Sequence, residues 1–397
     1  MTDKKSSTFA LLPVVMLSLA LALRQMSMTI VAPFISTYCK TLTGYTPFLA
    51  GLAIGAFGLM QAIFQIPFGM LSDRFGNKKM MLIGLFQVIT GLLLAYFASN
   101  MGMLILARIL QGSGAIIGVG YSWVAGMAEG SHRSKALGIL GAFTSAAAAL
   151  AFAVGPLLRG IMSVNKMFLA GALLLFLNSL YILIFIDEGN TGVKREAPKK
   201  EHVFLLLREK DYIIMNLEAF INNYMMMSVF YLAPIYITDI TGQEGMWKVF
   251  VPAVFIAVLF MKGAVSLAER GFGGIVLIIS FTLSPISILF YLKPDSYLFL
   301  LAGTILFMCS YITIATMVAT RVNSKLDDSL RGTGNGIFNS FQYIGSFAGA
   351  VITGALWGIS ERLSWLLLIA IGCIGVLTAV FSVSKKSIPE SRYSNER

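Results

Sequence analysis

Gly69-Met70-Leu71-Ser72-Asp73-Arg74-Phe75-Gly76-Asn77-Lys78-Lys79 is a short polar turn between two apolar runs, residues 47–71 and 79–98. Each run reaches the roughly 20 residues that an α-helix needs to cross a bilayer. Within the turn, Gly69 lets two helices approach closely and Gly76 permits a tight reversal. Asp73 offers a carboxylate to the positive end of a neighbouring helix or to an arginine. The stretch therefore reads as a hairpin of two membrane spans with a basic turn.

The same alternation recurs outward from this hairpin. Apolar runs at 9–36, 101–127, 135–160 and 166–186 complete a first set of six. A second set follows at 211–238, 246–268, 273–292, 296–320, 331–358 and 362–384. Of the 397 residues, 57% are hydrophobic and 12% charged, about half the charge of a soluble domain, so the apolar excess must face lipid. The predicted fold class is an all-α membrane protein with twelve transmembrane helices in two pseudo-symmetric six-helix bundles. The bundles are expected at 1–186 and 211–397, with a charged linker at 187–210 between them. The run from Phe9 is too long for a cleaved signal and lacks a small-residue cleavage site, so it reads as the first span.

A net charge of +11 raises the question of nucleic acid, but the basic residues form no stripe with interleaved aromatics. They cluster in the breaks between spans. One side holds Lys4, Lys5, Arg74, Lys78, Lys79, Arg133, Lys135, the basic residues between 194 and 210, Arg270, Arg321, Lys325, Arg331 and the C-terminal cations. The other side holds Lys40, Lys166, Lys248, Lys293 and Arg362. That asymmetry excludes a nucleic-acid role and predicts cytoplasmic termini in a plasma (inner) membrane. Cys39, Cys309 and Cys373 are far apart, and His132 and His202 are the only imidazoles, so no metal site is expected. No nucleophile–base or cofactor constellation appears, which argues against an enzyme and against a bound cofactor. Without a repeated filter loop or ring of charges, a channel is disfavoured.

The turn at 69–79 resembles the signature loop of the major facilitator superfamily, G-x-L-x-D-R-x-G-x-K/R, and stands where that family has it. A worn counterpart, Leu267-Ala268-Glu269-Arg270-Gly271-Phe272-Gly273, lies between spans eight and nine. In span four, Arg108-Ile109-Leu110-Gln111-Gly112-Ser113-Gly114 resembles the family's R-x-x-Q-G-x-G. Span five ends Gly155-Pro156-Leu157-Leu158-Arg159-Gly160, similar to the antiporter motif G-P-x-x-G-G with Arg159 in place of a glycine. Span eleven, from Arg331 to Gly354, looks like the drug:proton antiporter branch. The resemblance covers essentially the whole chain and implies a transporter of the major facilitator fold. It implies gating by Gly69, Asp73, Arg74, Gly76 and Lys78, with Arg331 at the start of span eleven. It also implies proton transfer near Arg108 and an export bias from Gly155, Pro156 and Gly160.

The charges inside spans carry the rest. Glu218 is the sole carboxylate well inside a span, about 10 Å along the seventh helix. A carboxyl in low dielectric can exchange a proton near neutral pH, so Glu218 is the coupling candidate; a structural pair with Lys262 is the alternative. The first span has no acid and instead carries Arg24, beside Gln25 and about 22 Å along the helix from Phe9. A central arginine suggests an anionic substrate group or a structural counter-ion. Arg108 could instead bond backbone carbonyls. Asn335, Asn339, Gln342 and Ser346 share one helical face, which lines either the substrate path or an interhelical seam. Asn222 joins Arg24, Gln25, Asn335, Asn339 and Gln342 as candidate substrate contacts. Met225, Met226 and Met227 suit a varied amphipathic substrate, and equally ordinary packing.

Together these features predict a secondary active transporter, a monomer with a small-molecule substrate and protons as partners. The first reading is a proton-coupled exporter of amphipathic drugs or metabolites. The alternative is a transporter of an organic anion or lipid that uses Arg24. A non-transporting receptor or scaffold fits less well, because it needs neither the gate turn nor a polar cavity face.

Overall fold

The computed structural model describes residues 11–128, 131–188, 206–293, 296–326 and 331–384, and they are helical almost throughout. The helices are α1 (Leu11–Cys39), α2 (Pro47–Phe75), α3 (Asn77–Tyr96), α4 (Met101–Gly126), α5 (Ser131–Arg159) and α6 (Val164–Phe185). The second bundle holds α7 (Lys210–Thr241), α8 (Trp247–Leu267), α9 (Gly273–Tyr291), α10 (Tyr297–Lys325), α11 (Arg331–Trp357) and α12 (Glu361–Ser384). The linker expected at 187–210 lies mostly outside the described residues.

By length and hydropathy, nine segments of the described chain could cross a membrane, and one of them, Trp247–Tyr291, contains both α8 and α9. The helices outside that set are α7 and α11. Their reason is chemical: α7 carries Asn216, Glu218, Asn222 and Asn223, and α11 carries Asn335, Asn339 and Gln342. The two polar helices pack along each other, with Gly345 against the backbone of Phe220 and Gly349 against that of Tyr224. Polar groups that lipid would penalise are thereby kept against protein.

Local signals place the helix ends. Thr46 caps α2 by accepting the Leu49 N–H at 3.2 Å, and Pro47 takes the first helical position, where no N–H is needed. Asn100 caps α4 in the same way through the Met103 N–H. Gly76, at φ 93°, turns the chain from α2 into α3, and Gly271, at φ 98°, turns it from α8 into α9. The worn sequence counterpart therefore also turns at a glycine of positive φ, one position earlier in the motif and with a different ψ (149° at Gly76, −2° at Gly271).

Several spans differ in detail from their sequence boundaries. The first is interrupted by a 3-10 turn at Ala32–Phe34, where Pro33 cannot donate a helical hydrogen bond. The fourth breaks at Gly114, whose missing side chain lets it sit against the Gly84 carbonyl of α3. The tenth runs through Arg321 to Lys325, so Arg321 belongs to a helix and not to the loop the sequence suggested.

Candidate functional site

The two bundles meet chiefly along α2 and α11, and along α5 and α8. On α2, Gly51, Gly55, Gly58, Ala62, Gln65 and Gly69 follow one helical face. Gly51 touches the Ala350 backbone, Gly55 lies against Phe347, and a Cβ on Gly58 would stand 3.1 Å from the Tyr343 carbonyl. Gly354 of α11 is seated on Pro47 in turn. At the basic-loop end of the same two faces, Gly69 and Gly336 have nothing within 4 Å of a Cβ position. Gly138 and Gly141 on α5 and Gly263 on α8 are equally open.

The end opposite the basic loops, called the far face here, is closed by further contacts between bundles. The Tyr231 hydroxyl donates to the Pro47 carbonyl at 2.9 Å, and Phe152 stacks on Phe230 with centroids 5.1 Å apart. Among the described residues, then, α2 and α11 touch at the far face and part toward the basic face. The close approach expected at Gly69 is not made in this conformation.

Arg24 lies where the two helices part. It is 2% exposed, and its Nη2 donates to Gln61 Oε1 of α2 at 3.3 Å. Tyr343 of α11 is within its electrostatic reach from the other bundle. No carboxylate among the described residues forms a salt bridge with it, and its Nε is buried without a partner. Gln61 Nε2 and Gln65 Oε1 are likewise sealed and unpaired. Gln25, in contrast, turns along its own helix to Thr29 Oγ1 at 3.1 Å.

The polar stripe of α11 makes its hydrogen bonds within the second bundle. Asn335 bonds Asn323 of α10 at 2.8 Å and serves a seam. Gln342 donates to Asn339 and accepts from Asn223 of α7, both at 3.3 Å. Asn222 points elsewhere, donating to the Tyr311 carbonyl at 3.3 Å.

Glu218 is fully buried and pairs with Arg321 at 3.1 Å, not with Lys262, which is exposed on α8. The reason is the length of α10: its last turns extend past the sequence boundary and bring the guanidinium level with Glu218. Arg321 also donates to Ser382 Oγ, so the pair ties α7, α10 and α12 together. Arg108 is 3% exposed and well supplied: Nε donates to the Ala53 carbonyl at 3.3 Å, Nη1 to Gln111 Oε1 at 2.6 Å, and the guanidinium lies 4.6 Å from the Phe57 ring centroid. The expected carbonyl bonding is thus present.

At the signature turn, the Lys78 N–H donates to Glu188 Oε1 at 3.3 Å and Lys78 Nζ to the Leu183 carbonyl at 3.0 Å. Gly76 is required there by its φ of 93°, and the Glu188 carboxylate closes over the space a Cβ would take. The Arg331 side chain lies outside the described residues. Gly155 packs on the Ile30 carbonyl of α1, with Pro156 inside α5, and Gly160 lies near the Glu244 backbone of the other bundle.

Sequence reasoning missed Gln61, Gln65, Asn223, Tyr343 and Arg321. Gln61 and Gln65 carried a signal: two amides one turn apart inside a span, on the glycine-bearing face. Tyr343 carried none, since a tyrosine in a span is ordinary.

A sequence profile of the Major Facilitator Superfamily matches residues 17–350. The inner membrane transport protein YajR of Escherichia coli (strain K12) is 26% identical over 345 residues, covering 86% of this chain and 76% of that protein. The multi-drug resistance efflux pump PmrA of Streptococcus pneumoniae is 26% identical over 254 residues, covering 62% of each. The crystal structure of the nucleoside transporter NupG superposes with a TM-score of 0.74 at 12% identity, covering 94% of this chain and 99% of that one.

Proposed function

The chain belongs to the Major Facilitator Superfamily, and from that premise we propose a secondary active transporter, working by alternating access, for a small amphipathic molecule with an anionic group. One observation carries the substrate class. Arg24 is a buried cation at the junction of the two bundles with a neutral partner and an unpaired Nε. Burying a charge is costly unless it is paired, and a substrate anion would supply the pair.

In this reading the basic face is cytoplasmic and the conformation described is open to the cytoplasm. The opposite state closes Gly69 of α2 toward Gly336 of α11 and frees the far face. Proton coupling is assigned to Glu218 together with Arg321: a proton on the carboxylate dissolves the ion pair and loosens α7 from α10 and α12. The resemblance of Gly155-Pro156 to the antiporter motif and the likeness to PmrA support export as the direction.

The test is counterflow in proteoliposomes with matched organic anions, cations and neutral compounds. Anions should exchange, and Arg24→Ala should remove that exchange in a folded preparation. Exchange of cations alone, or of anions untouched by Arg24→Ala, would refute the anion reading.

A further inference from the structure

We propose that Gln61 is a stand-in for the substrate. Its amide oxygen holds, in the empty transporter, the place that a substrate carboxylate oxygen takes, and Gln65 receives a hydrogen-bond donor of the same molecule. This deepens the anion reading of Arg24 and rests on it.

The orientation of Gln61 follows from chemistry. A guanidinium only donates, so the oxygen of the Gln61 amide must face Arg24, as it does at 3.3 Å. Its Nε2 is thereby aimed away and finds no partner, although it is sealed from solvent. Arg24 Nε is in the same condition, and so is the acceptor Oε1 of Gln65. Unpaired buried polar atoms are rare because each keeps its desolvation cost. Three of them within one turn of α2 and the facing turn of α1 are two donors and one acceptor awaiting a ligand.

A carboxylate answers both donors. One oxygen takes the Gln61 position against the arginine fork, and the other reaches Nε or the released amide N–H. Gln65 lies four residues farther along α2, about 6 Å at 1.5 Å per residue, and its free oxygen accepts from a hydroxyl or ammonium group. Gly118 of α4 lies beside the nitrogen side of the Gln65 amide, with 3.6 Å between Nε2 and a Cβ position. The substrate class is thus an organic acid with a hydroxyl or amino group about 6 Å from its carboxylate. A neutral glutamine suits the stand-in role because it binds Arg24 without neutralising it. A glutamate at 61 would form a permanent ion pair and occupy the site.

The probes are δ-aminovalerate, valerate and δ-aminovaleramide, titrated into full-length protein in lipid nanodiscs with affinity and melting temperature as readouts. δ-Aminovalerate should bind, valerate about tenfold more weakly, and the amide not measurably. Gln61→Glu should raise the melting temperature while abolishing acid binding, which a merely structural residue would not do. Gln65→Leu should make δ-aminovalerate and valerate equal. Acid binding that survives Gln61→Glu, or no preference of the parent for acid over amide, overturns the proposal. Should acids bind through Arg24 but ignore both glutamine variants, the stand-in role falls and the anion reading stands. Should no acid bind, both fall.

Discussion

Each bundle sets an arginine against a buried polar side chain, Gln61 in the first and Glu218 in the second, yet the two bundles treat charge in opposite ways. In the C-terminal bundle Arg321 meets Glu218 at 3.1 Å and shares Ser382, so the cluster is neutral and closed within α7, α10 and α12. In the N-terminal bundle the hydrogen-bond partner of Arg24 among the described residues is the neutral amide of Gln61, with Tyr343 of the other bundle within electrostatic reach. A compensated pair is complete without a ligand. An uncompensated cation is not, and its stability must come from what binds it. The comparison separates a group that holds the fold from one that is held ready for a substrate.

Breaking the compensated pair should give the largest effect. Arg321→Met leaves a fully buried carboxylate without its cation, which should cost about 3–5 kcal/mol of stability, read as a lower melting temperature in nanodiscs. The double variant Glu218→Gln with Arg321→Met should recover most of that loss, since no charge is then left unpaired. A single variant as stable as the parent would mean that the pair is not formed in the membrane.

Arg24 should behave in the reverse sense. Arg24→Ala removes a cation that has no carboxylate, so the fold should be unharmed while binding of the best anionic substrate weakens by about 2–5 kcal/mol. Arg24→Lys should recover only part, because an ammonium cannot present the planar fork. Titration of each variant checks this, and a drop in stability without a drop in affinity would move Arg24 into the same class as Arg321.

Within the pair, the partners are not equivalent. Glu218 is fully buried, whereas the Arg321 side chain is 22% exposed and can turn its guanidinium toward the basic face. Glu218→Gln should therefore cost less than Arg321→Met, about 1–3 kcal/mol. It should also abolish proton-driven accumulation while leaving counterflow exchange intact. Gradient-driven transport equal to that of the parent would remove Glu218 from the coupling step and leave it structural.

The fold was readable because hydropathy acts along the chain: each span announces itself within some 20 residues. The repeat was readable for the same reason, since Gly76 and Gly271 need no partner to mark a turn. Pairing across the bundles was not. Glu218 appeared isolated because Arg321 stands 103 positions away near the C-terminal end of its helix, where a charged residue reads as loop. Arg24 stood out, because a charge in an apolar run needs a reason. Gln61 did not, because an uncharged amide disturbs hydropathy little, and its meaning lies in the arginine it faces. The helix ends hid a further contact: nothing in the sequence near Lys78 points to Glu188, 110 positions away.

The smallest expected effect concerns the gate, where α2 and α11 touch near Gly58 and part near Gly69 and Gly336. Alternating access needs two states of similar free energy, each with contacts that the other lacks. If Asp73 lies closer to the positive start of α11 when the basic face is closed, that contact favours the closed state by about 0.3–2 kcal/mol. Asp73→Asn should then raise the proportion of molecules open at the basic face by a factor of roughly two to thirty. Helix packing should survive, because the turn is held separately by the bonds from Lys78 to Glu188 and Leu183. Spin labels on the basic ends of α2 and α11 would report the shift as a larger share of long distances. If the distance distribution and transport were both unchanged, the turn would serve only to lock α2 to α3, and closure would rest on the glycine faces themselves.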